Sequence, residues 1–262
     1  MNFIDVHTHL HDKRIIDHVP EMIRRARSCG LKFMVTCATM AKNFESTAKL
    51  AETHGDVLPC FGVHPWFLDT LEPCWEMNLA SWLDKMPSGV GEIGLDFSDK
   101  GSDRDFQIRV FNAQMALASD LNRPVSIHIR HAWDAFIHIL KKNGPLKNKG
   151  LVHSFSGSAD LVRILEKYNL HISFSGAVTR PNAKKTIKAL NAVSLDRILF
   201  ETDAPDILPS LGNDEKVFDR LNHPANLPGI VRIAAQHRKM GFEKLADLSY
   251  TNGLNLFNSI IL

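Results

Sequence analysis

A parallel β/α barrel of eight repeats, the TIM-barrel class, is the fold the sequence predicts, and three observations predict it. The chain has 262 residues, close to the roughly 250 that such a barrel needs. Short β-branched or apolar runs alternate with longer amphipathic stretches along the whole length, which is the pattern of repeated βα units. Nearly every chemically loaded residue falls at, or just past, the C-terminal end of one of the short runs, where parallel barrels carry their sites. Hydrophobic residues at 44% and charged residues at 23% suit a chain with a sizeable core, so residues 1–262 are read as a single domain.

Taken in order, the strand candidates are NFIDV (2–6), KFMVTCA (32–38), VLPCFGV (57–63), GVGEIGL (89–95), PVSIHI (124–129), GLVHSF (150–155), HISFSG (171–176) and DRILFE (196–201). Between them, residues 17–29, 43–54, 103–121, 134–142, 158–168 and 182–192 repeat apolar side chains at three and four positions, as helices with one buried face do. Ser158 stands where it can cap SADLVRIL, and Pro181 suits the first turn of RPNAKKTIKAL. The stretch 204–228, rich in Pro, Asn and Asp, is too long for a simple connector and reads as a functional loop. Two last helices, 227–239 and 243–257, close the ring.

Composition narrows the class of protein without naming a partner. A formal net charge of +2 argues neither for nor against an anionic substrate, and the local clusters IRRAR and RPNAKKTIK read as solvated helix faces. Cys29, Cys37, Cys60 and Cys74 show no Cys-x-x-Cys spacing, so they read as reduced structural thiols. No apolar run approaches the roughly 18 residues of a membrane span. Asp5 and His7 occupy positions where a signal peptide has its apolar core. A cytoplasmic protein with no membrane association and no obligate protein partner is expected.

The strand ends carry the chemistry. In extended backbone His7 and His9 share one face about 7 Å apart and can chelate one ion, whereas His11, beyond the strand end, is expected to face solvent. The third strand runs into His64, the fourth ends in Glu92 and Asp96, and the fifth in His128 and Arg130. The sixth ends with His153, and the eighth with Glu201 and Asp203. Singly, each has a structural explanation. Four imidazoles and two carboxylates converging on one barrel mouth, however, need partners, and a metal centre supplies them. Six N and O donors without a thiolate exceed one tetrahedral zinc and suit two divalent ions, zinc, manganese or magnesium, with Glu92 as the natural bridge. Such pairs serve displacement at phosphorus or hydrolysis of carbonyl-type bonds, and the residues alone leave both open.

The runs DVHTHLH, FGVHPW, GEIGLDF, IHIRHA, VHSFSGS and ETDAPDILP resemble, in order, the motifs of the TatD-type metal-dependent deoxyribonucleases, over residues 4 to 257. The resemblance implies a TIM barrel of the amidohydrolase superfamily and a divalent-metal nuclease that degrades DNA from its 3′ end, with single-stranded ends as substrate. Carried over, it puts metal ligands at His7, His9, Glu92, His128, His153 and Asp203, and phosphate contacts at His64 and Arg130. The sequence departs from the family's Arg-Asn-Glu-Pro-like segment, with Leu221 and His223 in LNHP. The expected reaction is phosphodiester hydrolysis by a metal-bound hydroxide, with Glu92, Asp203 and Glu201 as its catalytic carboxylates: Asp203 orients or deprotonates the water, and Glu201 positions it or supports the ligands. Two rivals stand beside this reading: a hydrolase of a small lactone, ester or cyclic amide, and a non-catalytic binding barrel.

Overall fold

Eight parallel strands run in sequential order around the molecule: β1 (Phe3–Thr8), β2 (Leu31–Cys37), β3 (Val57–Phe61), β4 (Gly89–Asp96), β5 (Val125–Arg130), β6 (Gly150–Val152), β7 (Leu170–Phe174) and β8 (Ile198–Phe200). The computed structural model describes residues 1–98, 103–212 and 221–261. The helices are α1 (Val19–Ser28), α2 (Phe44–Thr53), α3 (Trp75–Lys85), α4 (Arg104–Asp120), α5 (Trp133–Asn143), α6 (Ala159–Lys167), α7 (Lys184–Ala192), α8 (Leu227–His237) and α9 (Phe242–Phe257). Strands β1, β3, β4 and β7 are buried along their whole length, as expected for a parallel sheet covered by helices.

The seam between β1 and the chain after β8 is closed by specific bonds. Asp203 N–H donates to His7 O (3.0 Å) and His9 N–H to Ala204 O (2.7 Å). Beneath them the buried Asp5 carboxylate accepts from Thr202 N–H (2.9 Å) and from its hydroxyl (2.5 Å). The opposite end is plugged by α9. Leu256 and Phe257 join Ile4, Val6, Leu58, Leu151 and Leu199 in one apolar cluster, and Asn252 donates to Leu195 O and Ile198 O at 2.8 and 2.9 Å. Gly253 is required there, because a Cβ would lie 2.3 Å from Ile4 Cγ2. With one end filled by hydrocarbon, the polar strand ends share the other.

Two differences from the sequence reading have physical causes. Helix α3 was not among the expected helices, because its stretch buries only Leu79 and Leu83 and leaves Met77 exposed. β6 stops at Val152, since Ser154 turns into the left-handed region at φ 41°, so His153 sits just past a strand rather than inside one. Of the expected loop 204–228, residues 213–220 lie outside the described residues. Its far side is organised by the buried Asn222, which donates to Thr202 O (2.7 Å) and accepts from Asn226 (2.9 Å).

Candidate metal centre

Glu92, 3% exposed, stands in the middle of the barrel mouth with each carboxylate oxygen facing a different group. Its strand approaches β5 so closely that a Cβ on Gly94 would lie 1.9 Å from His128 O, which only glycine permits. On one side Oε2 faces His7 Nε2 (3.7 Å) and His9 Nε2 (3.4 Å). Those two nitrogens are 3.3 Å apart and lie 3.8 and 3.4 Å from Asp203 Oδ1. On the other side Oε1 faces His153 Nε2 (2.9 Å), His128 Nδ1 (3.0 Å) and His64 Nε2 (3.3 Å). His128 Nδ1 and His153 Nε2 are 3.2 Å apart. Bonds of about 2.0–2.1 Å in a tetrahedral shell put neighbouring donors roughly 3.3–3.4 Å apart. The spacing and the chemistry of this donor set therefore fit divalent cations on both sides of Glu92.

The outer nitrogen of each imidazole decides what its inner nitrogen offers. His9 Nδ1–H donates to Cys37 O (2.8 Å), His128 Nε2–H to Asp96 Oδ2 (3.2 Å) and His153 Nδ1–H to Glu201 Oε1 (3.3 Å). In the neutral ring each then turns a lone pair inward. His7 Nδ1 is bonded to Ser126 Oγ (2.7 Å) and can do the same. His64 is different: its Nδ1 accepts the Trp66 backbone N–H (3.1 Å), so the neutral ring carries its proton on Nε2, aimed at Glu92. His64 lies within ligand distance of Glu92 and His128, yet its tautomer makes it a hydrogen-bond donor rather than a metal ligand.

The electrostatics follow from burial and the two carboxylates. Burial, with repulsion from His153, pushes His7 down to about 4, and burial pushes His64 down to about 4. Burial also opposes charge on His9, but Asp203 and Glu92 lift it to about 9. His128 and His153 are raised against burial by Asp96, Glu92 and Glu201, while the surrounding imidazoles hold Glu92 well below its usual range. The cluster thus draws positive charge onto three rings, and a cation brings the same charge to the same place.

The structure brings His7, His9, Glu92, His128, His153 and Asp203 together as one cluster, with Glu201 behind His153. Asp203 sits in the left-handed region at φ 58°, held there by its bond to His7 O. Arg130 is exposed on the wall of the cleft above, a cavity of about 1010 Å³. His11 corrects the expectation of a solvent-facing ring. It is 8% exposed, because the loop after β1 folds back through Asp12 N–H to His9 O (2.9 Å) and stands His11 edge-on to His9. Trp66 is fixed through Nε1–H to Asp96 Oδ2 (2.7 Å), and Phe155, 3% exposed, packs on Trp133 and Phe174.

Sequence reasoning gave no role to Ser126, Asp96 or the Cys37 carbonyl. Ser126 lies two residues before His128 on the same strand, a signal that period-2 reading offers. Asp96 is locked by Gln107, whose side chain bonds both its N–H and its carbonyl at 2.8 Å. Burial opposes its charge, but His128 and Ser98 hold its carboxyl below the usual range.

With that geometry established, a model of the family described as TatD related DNase matches residues 4–258. The chain belongs to the TatD-related DNase family. Within this TatD family it is 30% identical over 258 residues to the uncharacterized metal-dependent hydrolase YabD of Bacillus subtilis, covering 97% of this chain and 98% of YabD. It is 33% identical over 243 residues to the 3′-5′ ssDNA/RNA exonuclease TatD of a Rahnella species, covering 90% and 91%. The crystal structure of YjjV, the TatD homolog from Escherichia coli K12, superposes with a TM-score of 0.89 at 29% identity, covering 98% of each chain. The protein is thus a TatD-family metal-dependent hydrolase on an eight-stranded parallel barrel. Among the described residues no helix is long and apolar enough to cross a membrane.

Proposed function

We propose that this chain is a 3′-5′ exonuclease of single-stranded DNA that works with two divalent ions, His7, His9 and Asp203 holding one, His128 and His153 the other, and Glu92 both. The observation that carries the reading is the division of Glu92, one oxygen toward each donor set, at the floor of an open cleft. The name of the Rahnella relative supports the substrate class. The four free thiols support a cytoplasmic location.

Divalent ions in such a pair polarise the phosphoryl group and lower the pKa of water. The chain supplies the rest. Asp203, beside His7 and His9, orients the attacking water and accepts its proton. His64 donates Nε2–H, and Arg130 its guanidinium, to non-bridging phosphoryl oxygens as negative charge gathers there. Glu201 acts through His153: it accepts that ring's Nδ1–H and the Ser154 N–H (2.6 Å), which fixes the imidazole's direction. Water oxygen adds to phosphorus, one ester P–O bond breaks, and the leaving oxygen takes a proton.

End-labelled single-stranded DNA, incubated with protein reconstituted with zinc, manganese or magnesium, is expected to shorten from its 3′ terminus and to be protected by a chelator. DNA left intact under all three metals while a lactone or cyclic amide is turned over would replace this reading with the small-molecule one. Turnover of neither, with nucleic acid bound, would favour the non-catalytic barrel.

A further inference from the structure

Around the cleft the charges are not mixed. After β8 and β1 stand Asp206 and Asp12, both on the cleft wall and both bridged by Arg14, whose guanidinium donates to Asp206 at 2.7 and 2.9 Å and to Asp12 at 2.7 and 3.0 Å. That arginine is consumed by two carboxylates, so among the described residues lining the cleft this side offers a polyanion no unpaired Lys or Arg. After β5 and β7 stand Arg130, Arg180 and Lys185, all exposed and all on the cleft wall. None of these three forms an ion pair with a carboxylate among the described residues.

Arg180 and Lys185 belong to RPNAKKTIK, a segment read from sequence as a solvated helix face. In the fold only part of it faces solvent away from the site: Arg180, Lys185 and Thr186 line the cleft, whereas Lys184 and Lys188 do not. Arg180 is carried on a fixed turn. The buried Thr179 hydroxyl before it donates to Gly176 O (2.7 Å) and accepts Ser210 N–H (2.7 Å). Arg180 N–H donates to Ala177 O (3.3 Å), and its own carbonyl accepts Ala183 N–H (3.1 Å). A cation on a preordered backbone loses less entropy on binding than one on a loose loop.

We propose that Arg180 and Lys185 form a second phosphate subsite, which holds a backbone phosphate of the nucleic acid beyond the one being cleaved. This rests on the nuclease reading and adds a direction to it: the strand leaves the metal centre over the β5 and β7 side, away from Asp12 and Asp206. Arg130 contacts the scissile phosphate and Arg180 and Lys185 the next along the chain, so the site favours oligonucleotides over a single phosphodiester. The shared chemistry is a run of phosphodiesters, from DNA or RNA.

The test compares two double variants with equal loss of charge, R180A/K185A and K184A/K188A, the second removing lysines of the same segment that do not line the cleft. Each is assayed on single-stranded 20-mers of DNA and RNA and on bis(p-nitrophenyl) phosphate, at several salt concentrations. R180A/K185A is expected to lower kcat/KM on the turned-over 20-mer at least ~10-fold more than on the small ester. Because each phosphate contact on a single strand contributes about 0.7 to the log–log salt slope, that slope should become shallower by roughly 0.7. K184A/K188A should keep the wild-type ratio. The proposal is overturned if R180A/K185A leaves ratio and slope unchanged, or if both double variants shift them equally, which would make the effect one of bulk charge. Wild-type protein that hydrolyses neither 20-mer but does hydrolyse a lactone removes the nuclease reading and this subsite with it, a result distinct from the other two.

Discussion

The His7–His9 set comes from one strand end, whereas His128 and His153 are collected from two, and the two sets are also braced differently. Behind His7 and His9 stand uncharged groups, the Ser126 hydroxyl and the Cys37 carbonyl. Behind His128 and His153 stand carboxylates, Asp96 and Glu201. An anionic partner raises the basicity of the imidazole it holds. The first set obtains its negative charge directly from Asp203 instead, placed between its two rings. The difference teaches that the two sides reach charge balance by separate routes and meet at Glu92 and at the stacked rings of His7 and His153, whose centroids are 4.0 Å apart, so the outer bracing groups can be substituted one at a time.

The largest effect should come from the shared group. Glu92→Gln keeps the side chain's shape but removes the charge common to both sets, and turnover of single-stranded DNA should fall by ~10⁴ or more, past the usual range for losing one positioned acid or base. Rates measured under saturating metal, with melting curves to verify the fold, check this. A fall of only tenfold would mean that the sets do not depend on Glu92. Asp203→Asn breaks one side only: turnover should drop about 10²–10⁴-fold while metal remains on the His128–His153 side. Near-wild-type turnover would take Asp203 out of the mechanism.

The bracing groups sharpen the comparison at lower cost. Asp96→Asn and Glu201→Gln should each weaken metal affinity or activity about 10–100-fold, as outer partners of ligands usually do. Ser126→Ala, behind the neutrally braced His7, should fall at or below the bottom of that range. Metal titrations of the three variants decide it, and a larger loss in Ser126→Ala than in Asp96→Asn would reverse the assignment.

A last effect, on stability rather than turnover, uses a histidine away from the cluster. His171 on β7 is buried, its Nδ1 3.4 Å from Gly150 O, and burial with repulsion from Arg197 pushes it down to about 4. The unfolded chain protonates this ring near 6.5 and the folded chain resists until about 4. Stability is therefore complete above 6.5 and declines as the pH falls toward 4, by on the order of 3 kcal/mol at ~1.4 kcal/mol per pH unit. His171→Gln should flatten the fall in Tm across that window. An unchanged acid limb would show that the loss comes from elsewhere.

Much of this architecture is legible in the sequence, for reasons that also explain what is not. Period-2 alternation announces His7 and His9, and the rank of strand ends announces Glu92, His128, His153 and Asp203. The same period misleads at His11, because the backbone leaves the strand at Thr8 and folds back on itself. Asp96 is visible as a strand-end acid, but its hold on His128 depends on the register in which Gly94 pairs with His128 and Asp96 with Arg130, which no single strand encodes. The division of RPNAKKTIK into cleft-lining and outward residues likewise depends on where α7 begins relative to the β7 turn.

Zinc stoichiometry, measured by titration of metal-free protein and elemental analysis of wild type, H7A/H9A and H128A/H153A, tests the central claim most directly. Two donor sets sharing Glu92 should give about two ions per wild-type chain and about one in each double variant, with the fold retained by circular dichroism. A wild-type chain that saturates at one ion, or an H7A/H9A chain that still takes up two, would contradict the division of the site on which the account rests.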